Sequence, residues 1–165
     1  MLSYEEMLNG PGFLIRRCHQ ISVAIFTEET GELEFSPSQF AALLFIHRHP
    51  GTDQRTLGEQ TALDRSSVTK CVDRLERCKL VRRDINPADK RARLLYTTPD
   101  GCRLLENLSQ ASRRARQRIE ECLGTDRFHK MLNLLKAMAD GLNDVSRAPV
   151  SFTPRGTNEL RDKKR

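Results

Sequence analysis

The chain has 165 residues, 38% of them hydrophobic and 30% charged, a balance that is ordinary for a soluble protein with one buried core. No apolar run approaches the roughly 20 residues that cross a membrane, and the acidic first residues lack the order of a signal peptide, so we expect a cytoplasmic protein with no membrane partner. The net charge is +6, and residues 53–93 carry eleven basic and seven acidic side chains, which indicates either a polyanionic partner or a solvated basic face.

The first half of the chain contains three predicted helices. Apolar residues at spacings of three and four predict a helix over residues 11–29. Residues 36–39, with the sequence Ser-Pro-Ser-Gln, predict a helix N-terminus with a capping box, and this helix should run to about His49. Asp53 is expected to cap a short third helix that ends near Thr61.

A longer helix is predicted after a tight turn, with Asp64 as its N-cap. Its apolar face is formed by Val68, Cys71, Val72, Leu75 and Cys78. Its outer face is small, polar and basic, and contains Ser66, Thr69, Lys70, Asp73, Arg74 and Arg77. A short helix, a tight turn and a longer helix with such a face are typical of a helix-turn-helix motif.

A β-hairpin is predicted directly after this motif. Residues 80–85 and 92–98 have the pattern of short strands, and the turn-rich, basic segment 86–91 joins them. A hairpin in this place forms a wing. The sequence therefore predicts a mainly α fold of the α+β winged-helix type, with a winged helix-turn-helix DNA-binding domain over residues 36–98.

The last third of the chain contains two predicted helices, over residues 99–123 and 127–145. The second carries a continuous apolar stripe, whose only partners in so short a chain would be the first helix and the same helices of a second copy. We therefore expect residues 11–35 and 99–145 to form a helical dimerisation region. Residues 147–165 are polar and basic and are expected to form a disordered tail.

The candidate DNA contacts lie on the longer helix and the wing. A helix that enters the major groove needs small side chains near its N-terminus, and Ser66 and Ser67 meet this need. Lys70 and Arg74, one turn apart, can reach guanine or phosphate, and Arg91 at the wing tip suits the minor groove. We assign the DNA interface to Arg55, Ser66, Ser67, Thr69, Lys70, Arg74, Lys90 and Arg91.

The order of these elements, with residues 63–76 and the wing over residues 86–101, resembles the MarR family of bacterial transcriptional regulators. The resemblance spans roughly residues 11–145. It implies a homodimer with intertwined terminal helices, which represses transcription at a palindromic operator until a small ligand, often an aromatic acid, binds. Cys78-Lys79 stands where the family commonly has a glycine, so we expect a longer or differently capped helix end there.

Within that family, residues 12–20 and 53–57 resemble regulators of nicotinate catabolism, which implies nicotinate or 6-hydroxynicotinate as the ligand. Arg17 lies at the margin of the apolar stripe of the first helix, where a guanidinium can bind a planar carboxylate. We assign the ligand site to Arg17, His19 and Gln20. The alternative is that Arg17 pairs with an Asp or Glu across the dimer.

Other functions fit parts of the sequence less well. The four scattered histidines are not accompanied by a catalytic motif, so we expect no enzyme activity and no cofactor. His47 and His49 could join a metal site with Cys18 or His19, although no recognised ligand spacing is present. Cys18 could be a thiol redox sensor, but its place in the apolar stripe predicts burial and a raised pKa. A sequence-independent, architectural DNA binder is the last alternative.

Overall fold

The computed structural model describes residues 1–33, 35–90 and 92–151. Over these ranges the chain is mainly helical, and every helix and strand predicted from the sequence is present. The helices are α1 (Tyr4–Leu8), α2 (Pro11–Thr30), α3 (Pro37–Arg48), α4 (Gln54–Thr61), α5 (Arg65–Arg77), α6 (Pro99–Leu123) and α7 (Thr125–Gly141). The strands are β1 (Thr52–Asp53), β2 (Val81–Ile85) and β3 (Arg93–Thr97).

Helices α3, α4 and α5 and the three strands share one core and form the winged-helix lobe. The sheet is antiparallel with the order β1-β3-β2, so that Leu95 of the central strand lies between Thr52 and Arg83. Burial of each large apolar side chain contributes about 1.5–3 kcal/mol. The fully buried residues of this lobe include Leu43, Ile46, Leu57, Val72, Leu75 and Leu95. One core therefore fixes the position of α5 relative to the wing.

The helix starts of this lobe are set by side-chain caps, as the sequence predicts. The backbone N–H of Gln39 donates to Ser36 Oγ at 3.2 Å, and the Ser36 N–H donates to Gln39 Oε1 at 3.0 Å. The Thr56 N–H donates to Asp53 Oδ1 at 2.7 Å. Caps of this kind typically stabilise a helix by about 1 kcal/mol.

The turn between α4 and α5 brings the two helices unusually close. Ala62 ends α4 in the left-handed conformation, with a φ of 54°. A Cβ at Gly58 would lie only 2.9 Å from the carbonyl oxygen of Leu63 and 3.1 Å from Val68 Cγ2. Glycine at this position therefore allows the backbone approach that the helix-turn-helix requires.

The residue that follows the C-cap of α5 is a lysine in the conformation that favours glycine. Lys79 has a φ of 59°, and its N–H donates to the carbonyl of Glu76 at 2.8 Å, while the Leu80 N–H donates to that of Leu75 at 2.9 Å. This is the Schellman pattern, and a residue with a Cβ adopts it at a cost of roughly 1–2 kcal/mol.

The prediction that Cys78 lies on the buried face is wrong, because Cys78 follows the last helical residue and is exposed.

Helices α2 and α6 pack together, and ion pairs join them at the C-terminal end of α2. Arg114 Nε lies 2.7 Å from Glu29 Oε2, and Arg118 Nη1 lies 2.8 Å from Glu28 Oε2. The side chain of Phe26 is buried at the same end. The contact between these two helices therefore combines an apolar centre with a charged edge.

The apolar stripe of α2 is not covered within one chain. Leu14 is 43% exposed and Ile21 is 49% exposed. Cys18 lies between them and is exposed as well. The prediction that Cys18 is buried is therefore wrong for the single chain, because the packing of α2 buries residues only towards its C-terminal end.

The last helix is shorter than predicted. Helix α7 ends at Gly141, and a 3₁₀ turn over Asn143–Val145 follows it. Of the basic tail predicted over residues 147–165, residues 152–165 lie outside the described residues. Residues 147–151 are described, and the N–H of Ser151 donates to the carbonyl of Glu59 in α4.

Candidate nucleic-acid interface

The N-terminus of α5 is organised around Asp64. Its Oδ1 accepts the Ser67 N–H at 2.9 Å and the Ser66 hydroxyl at 2.8 Å, and its Oδ2 accepts the Ser67 hydroxyl at 3.0 Å. The Ser67 N–H, followed by the two hydroxyls, lowers the pKa of Asp64 from 3.8 to about 2. The cap is therefore ionised at neutral pH, and its contribution to stability is lost only as the pH falls from about 4 through 2.

This arrangement also determines how the two serines can meet DNA. Their hydroxyl protons point to Asp64, so that the oxygen lone pairs of Ser66 and Ser67 stay available for donors. In the major groove such donors are the amino groups of adenine and cytosine. The geometry thus favours the two serines as acceptors from base edges.

The outer face of α5 presents most of the predicted contacts to solvent. Thr69 and Lys70 are exposed, and Thr69 Oγ1 donates back to the carbonyl of Arg65 at 3.0 Å. Arg77, which we did not assign to the DNA interface, is exposed on the last turn of the same helix. Arg74 is half-buried, so less of its side chain is accessible to solvent than that of Lys70. Of the two cations assigned to the DNA interface on α5, Lys70 is therefore the more accessible.

The wing tip is a turn closed by backbone and side-chain hydrogen bonds. The Asn86 N–H donates to the carbonyl of Ala92 at 3.2 Å, and Asn86 Oδ1 accepts the Ala88 N–H at 3.0 Å. Lys90 is exposed at the tip. Arg91, the predicted minor-groove contact, lies outside the described residues.

Sequence reasoning missed Arg83, which fixes the wing to the recognition helix. Its Nη2 lies 2.5 Å from Asp73 Oδ1, and its Nη1 pairs with Glu76. Its side chain is mostly buried, although the two carboxylates belong to the outer part of α5. Because one guanidinium bridges both acids, β2 and α5 are held as one unit. The sequence pattern that could have indicated this bridge is the spacing of three residues between Asp73 and Glu76, which places both carboxylates on one face of a helix.

Two other arginines within residues 53–93, Arg82 and Arg93, also have structural partners. Arg82 stacks over the Tyr96 ring at 4.5 Å and pairs with Asp84. Arg93 Nη1 donates to the carbonyl of Lys90 at 2.8 Å. Three of the eleven basic residues over residues 53–93 therefore make contacts within the wing or between the wing and α5.

Arg55 stands apart from the recognition helix, on the first turn of α4. Its side chain is exposed, and its Nε lies 3.0 Å from Glu59 Oε1. This exposed i,i+4 pair is weak and is screened by salt. Arg55 can therefore exchange its carboxylate partner for a phosphate without a large loss of stability.

The predicted ligand residues Arg17, His19 and Gln20 are all exposed on α2. They do not line the surface cleft of about 500 Å³ at the junction of α1 and α2. That cleft is lined instead by residues that include Phe13 and Arg16, and the Arg16 guanidinium stacks over the Phe13 ring at 5.2 Å. A site around Arg17 therefore needs walls beyond those that α2 provides.

The histidines proposed for a metal site make separate contacts. His47 Nδ1 lies 3.6 Å from Cys102 Sγ, whereas the His49 ring stacks on Phe45 at 4.4 Å. Within the described ranges, no group of three or more His, Cys, Asp or Glu side chains could hold a metal ion. None of the described helices has both the length and the apolar character needed to span a bilayer.

A helix-turn-helix with an attached wing on one core defines a winged-helix DNA-binding protein. The sequence profile of the MarR family matches residues 33–92. A transcriptional regulatory protein for the hcr operon of Thauera aromatica is 30% identical over 138 residues, which are 83% of this chain and 83% of that protein. The chain belongs to the MarR family of DNA-binding transcriptional regulators.

Two further similarities extend the match. The HTH-type transcriptional repressor NicR of Pseudomonas putida is 27% identical over 129 residues, which are 78% of this chain and 82% of NicR. The crystal structure of the PcaV regulator from Streptomyces coelicolor, in complex with its natural ligand, is 32% identical with a TM-score of 0.77, and covers 85% of this chain and 98% of PcaV. The predicted fold class is confirmed.

Proposed function

We propose that the protein is a transcriptional repressor that binds a palindromic operator as a homodimer and is released by a small aromatic acid. The observation that carries this proposal is the pairing of an exposed recognition face on α5 with a wing that Arg83 fixes to the same helix. Such a lobe can read one operator half-site as a rigid unit. Membership of the MarR family supports the same function.

The exposed apolar surface of the helical region supports the homodimer. The stripe of α2 and the outer face of α7 are both uncovered in one chain, and a second copy could bury each large side chain with a gain of about 1.5–3 kcal/mol. The residues of α7 and its C-cap that are 41–72% exposed are Leu134, Leu135, Met138 and Leu142.

Two-fold symmetry of the protein then sets the symmetry of the operator. Each protomer contributes one copy of α5, and the two copies meet the same face of the duplex when the half-sites are about one helical turn, roughly 10–10.5 base pairs, apart. Lys70, Ser66 and Ser67 would contact bases in each half-site. Arg55 and Lys90 would contact phosphates at its edges.

The ligand site of this proposal is centred on Arg17. This residue is exposed in one chain, and the covering second protomer and the winged-helix lobe would supply the missing walls. A carboxylate would pair with the guanidinium, while His19 and Gln20 would bond a ring nitrogen or hydroxyl. PcaV, a protein of similar fold and sequence, has been solved with its natural ligand. Binding would hold the two lobes at a spacing that no longer fits both half-sites.

A footprint on the promoter of its own gene, repeated with nicotinate, 6-hydroxynicotinate and salicylate, tests this function. We expect two protected stretches one turn apart, which disappear when the correct acid is added. Calorimetric titration of the same acids should give one site per protomer. The Arg17→Ala variant should keep the footprint but lose both the titration signal and the release, because it lacks the carboxylate partner.

Arg16→Ala is the matched control, since it removes the same charge one residue away on the same helix. Arg16 stacks on Phe13 and is not part of the proposed site, so this variant should bind acid and release DNA as the unchanged protein does. Full acid binding by Arg17→Ala would move the site elsewhere. Pairing of Arg17 with a partner-subunit carboxylate would instead appear as a weaker dimer without a change in acid affinity.

A further inference from the structure

The last described residues return from the helical region to the winged-helix lobe. The N–H of Ser151 donates to the carbonyl of Glu59 at 2.8 Å, and the Ser151 carbonyl accepts a hydrogen bond from the Gln60 side chain. Glu59 lies in the last turn of α4, where carbonyls have no partner within the helix. The Leu63 N–H, which would reach it in a longer helix, donates to the carbonyl of Gly58 instead. Ser151 therefore supplies a hydrogen bond that α4 cannot make with its own residues.

A side-chain clamp ties this docking point to the end of α7. Asn143 Oδ1 accepts the Val150 N–H at 2.8 Å, and Asn143 Nδ2 donates to the Val150 carbonyl at 3.1 Å. Asn143 follows Leu142, the C-cap of α7, and Val150 directly precedes Ser151. We call residues 143–151 the C-terminal strap. Because the strap is held at both of its ends, it connects α7 to α4 along a defined path.

The start of α6 provides a separate attachment to the lobe. Thr98, the N-cap of α6, donates its N–H to the carbonyl of Leu80 at 3.0 Å and its hydroxyl to that of Lys79 at 2.7 Å. Lys79 and Leu80 directly follow Cys78, the C-cap of α5. Helix α6 is therefore fixed to the chain at the C-terminal end of α5.

The two attachments lie at opposite ends of the recognition helix. Ser151 docks beside Gln60, four residues before the N-cap Asp64, whereas Thr98 binds just beyond the C-cap. The 13 residues of α5 span about 20 Å. One attachment would leave the lobe free to turn about a single point. Two attachments this far apart fix the direction of α5 relative to α6 and α7.

We propose that the C-terminal strap positions the recognition helix. By docking on α4 it holds α5 at one orientation relative to the helical region, and thereby sets the half-site spacing that a dimer accepts. This inference rests on the proposed function, because spacing has a meaning only for a dimer on a palindromic operator. Ser151 and Asn143 are positioning residues in this scheme, since they act through the placement of α5.

Release of the strap would change which operators the dimer accepts. A lobe that samples several orientations fits the correct half-site only part of the time, so its apparent affinity falls by that fraction. Some of the added orientations fit half-sites at a different spacing. Binding to random DNA depends on charge and needs no fixed spacing, so it should not change.

The experiment measures affinity for the operator identified by footprinting and for versions with one base pair inserted or removed at its centre. Each change turns one half-site by about 35° and moves it by about 3.4 Å. The unchanged chain should bind either altered operator about tenfold or more weakly, since a fixed lobe cannot follow the shift. Ser151→Pro lacks the N–H that binds Glu59. It should bind the original operator about three- to tenfold more weakly than the unchanged chain, and lose at most about threefold more on the altered ones.

Ser151→Ala is the matched control, because it removes only the hydroxyl and keeps both backbone groups that dock on α4. It should behave as the unchanged chain does. Asn143→Ala breaks the clamp by a different route and should show the same relaxed spacing as Ser151→Pro. Binding to random DNA checks that each variant is folded, and Asn143→Ala decides the test if Ser151→Pro does not fold.

A spacing preference that either folded variant, Ser151→Pro or Asn143→Ala, keeps in full would overturn the role of the strap alone. Relaxed spacing in Ser151→Ala would also overturn it, since the effect would then not come from the docked backbone groups. No spacing preference in the unchanged chain would contradict the palindromic operator and, with it, the role of the strap.

Discussion

Substitution of Gly101 by alanine is expected to destabilise the protein by about 3 kcal/mol or more, because the added methyl group would overlap closely packed atoms. A Cβ at this position would lie 2.1 Å from the carbonyl oxygen of Leu80 and 2.8 Å from Thr97 Cγ2. The Leu80 carbonyl also accepts the Thr98 N–H at 3.0 Å, so this carbonyl cannot move away without weakening that hydrogen bond. Thermal unfolding should show a midpoint lower by roughly 6–12 °C.

The same contact explains how α6 is joined to the wing. Gly101 lies in the first turn of α6, and Leu80 connects α5 to β2, so the close approach places the long helix against the base of the wing. Gly141→Ala is the control, because a Cβ there would lie in open space. It should leave stability unchanged or raise it slightly. A Gly101→Ala variant as stable as the unchanged protein would mean that α6 does not meet Leu80 in this way.

Lys70→Ala is expected to weaken operator binding by 5- to 150-fold, equivalent to about 1–3 kcal/mol, if Lys70 contacts a guanine edge. The side chain is exposed on the outer face of α5, so its loss should not change the unfolding midpoint. Specificity should relax at one base position in each half-site. Fluorescence anisotropy with operator variants measures both effects.

The control for this substitution is Lys136→Ala, which removes the same charge from the exposed surface of α7. Because α7 belongs to the helical region, this variant should bind the operator with unchanged specificity. A phosphate contact by Lys70 would weaken all DNA sequences alike. Normal operator affinity in Lys70→Ala would contradict the assignment of α5 as the recognition helix.

The helices and strands of this protein were predictable because residues close in sequence determine where they begin and end. Ser36, Asp53 and Asp64 each accept a backbone N–H three residues later, an interaction that depends on spacing alone. Periodicity identified the buried face of α5 for the same reason. Local rules also predicted a difference at Lys79, although they did not indicate that a lysine would adopt the left-handed conformation in place of glycine.

The partners of charged residues were not predictable, because they come from different elements. The positive charge over residues 53–93 was interpreted as a sign of either a polyanionic partner or a solvated basic face, yet Arg83 pairs with carboxylates seven and ten residues earlier in the chain. A count of charges cannot distinguish an arginine that holds the wing from one that faces DNA. The hydrogen bond from the Ser151 N–H to the Glu59 carbonyl of α4 was also not predictable, since it joins backbone groups that have no sequence pattern.

The apolar stripe of α2 was predicted from the sequence, but its burial was not predictable. Periodicity places Cys18 with Leu14 and Ile21 on one face of α2, but it does not say whether that face is covered by the same chain. In the single chain it is exposed. Burial of Cys18, and with it the argument against a redox role, therefore depends on the second protomer.

The most direct test of the central claim, that two protomers read one palindrome through α5, is the dependence of affinity on half-site spacing. Sedimentation should show two chains on the operator identified by footprinting. Insertion of five base pairs at its centre rotates one half-site by about half a turn, so that one α5 no longer faces its groove. We predict that affinity then falls at least about a thousandfold, towards that for random DNA. Unchanged affinity after the insertion, or one chain bound per operator, would contradict the account.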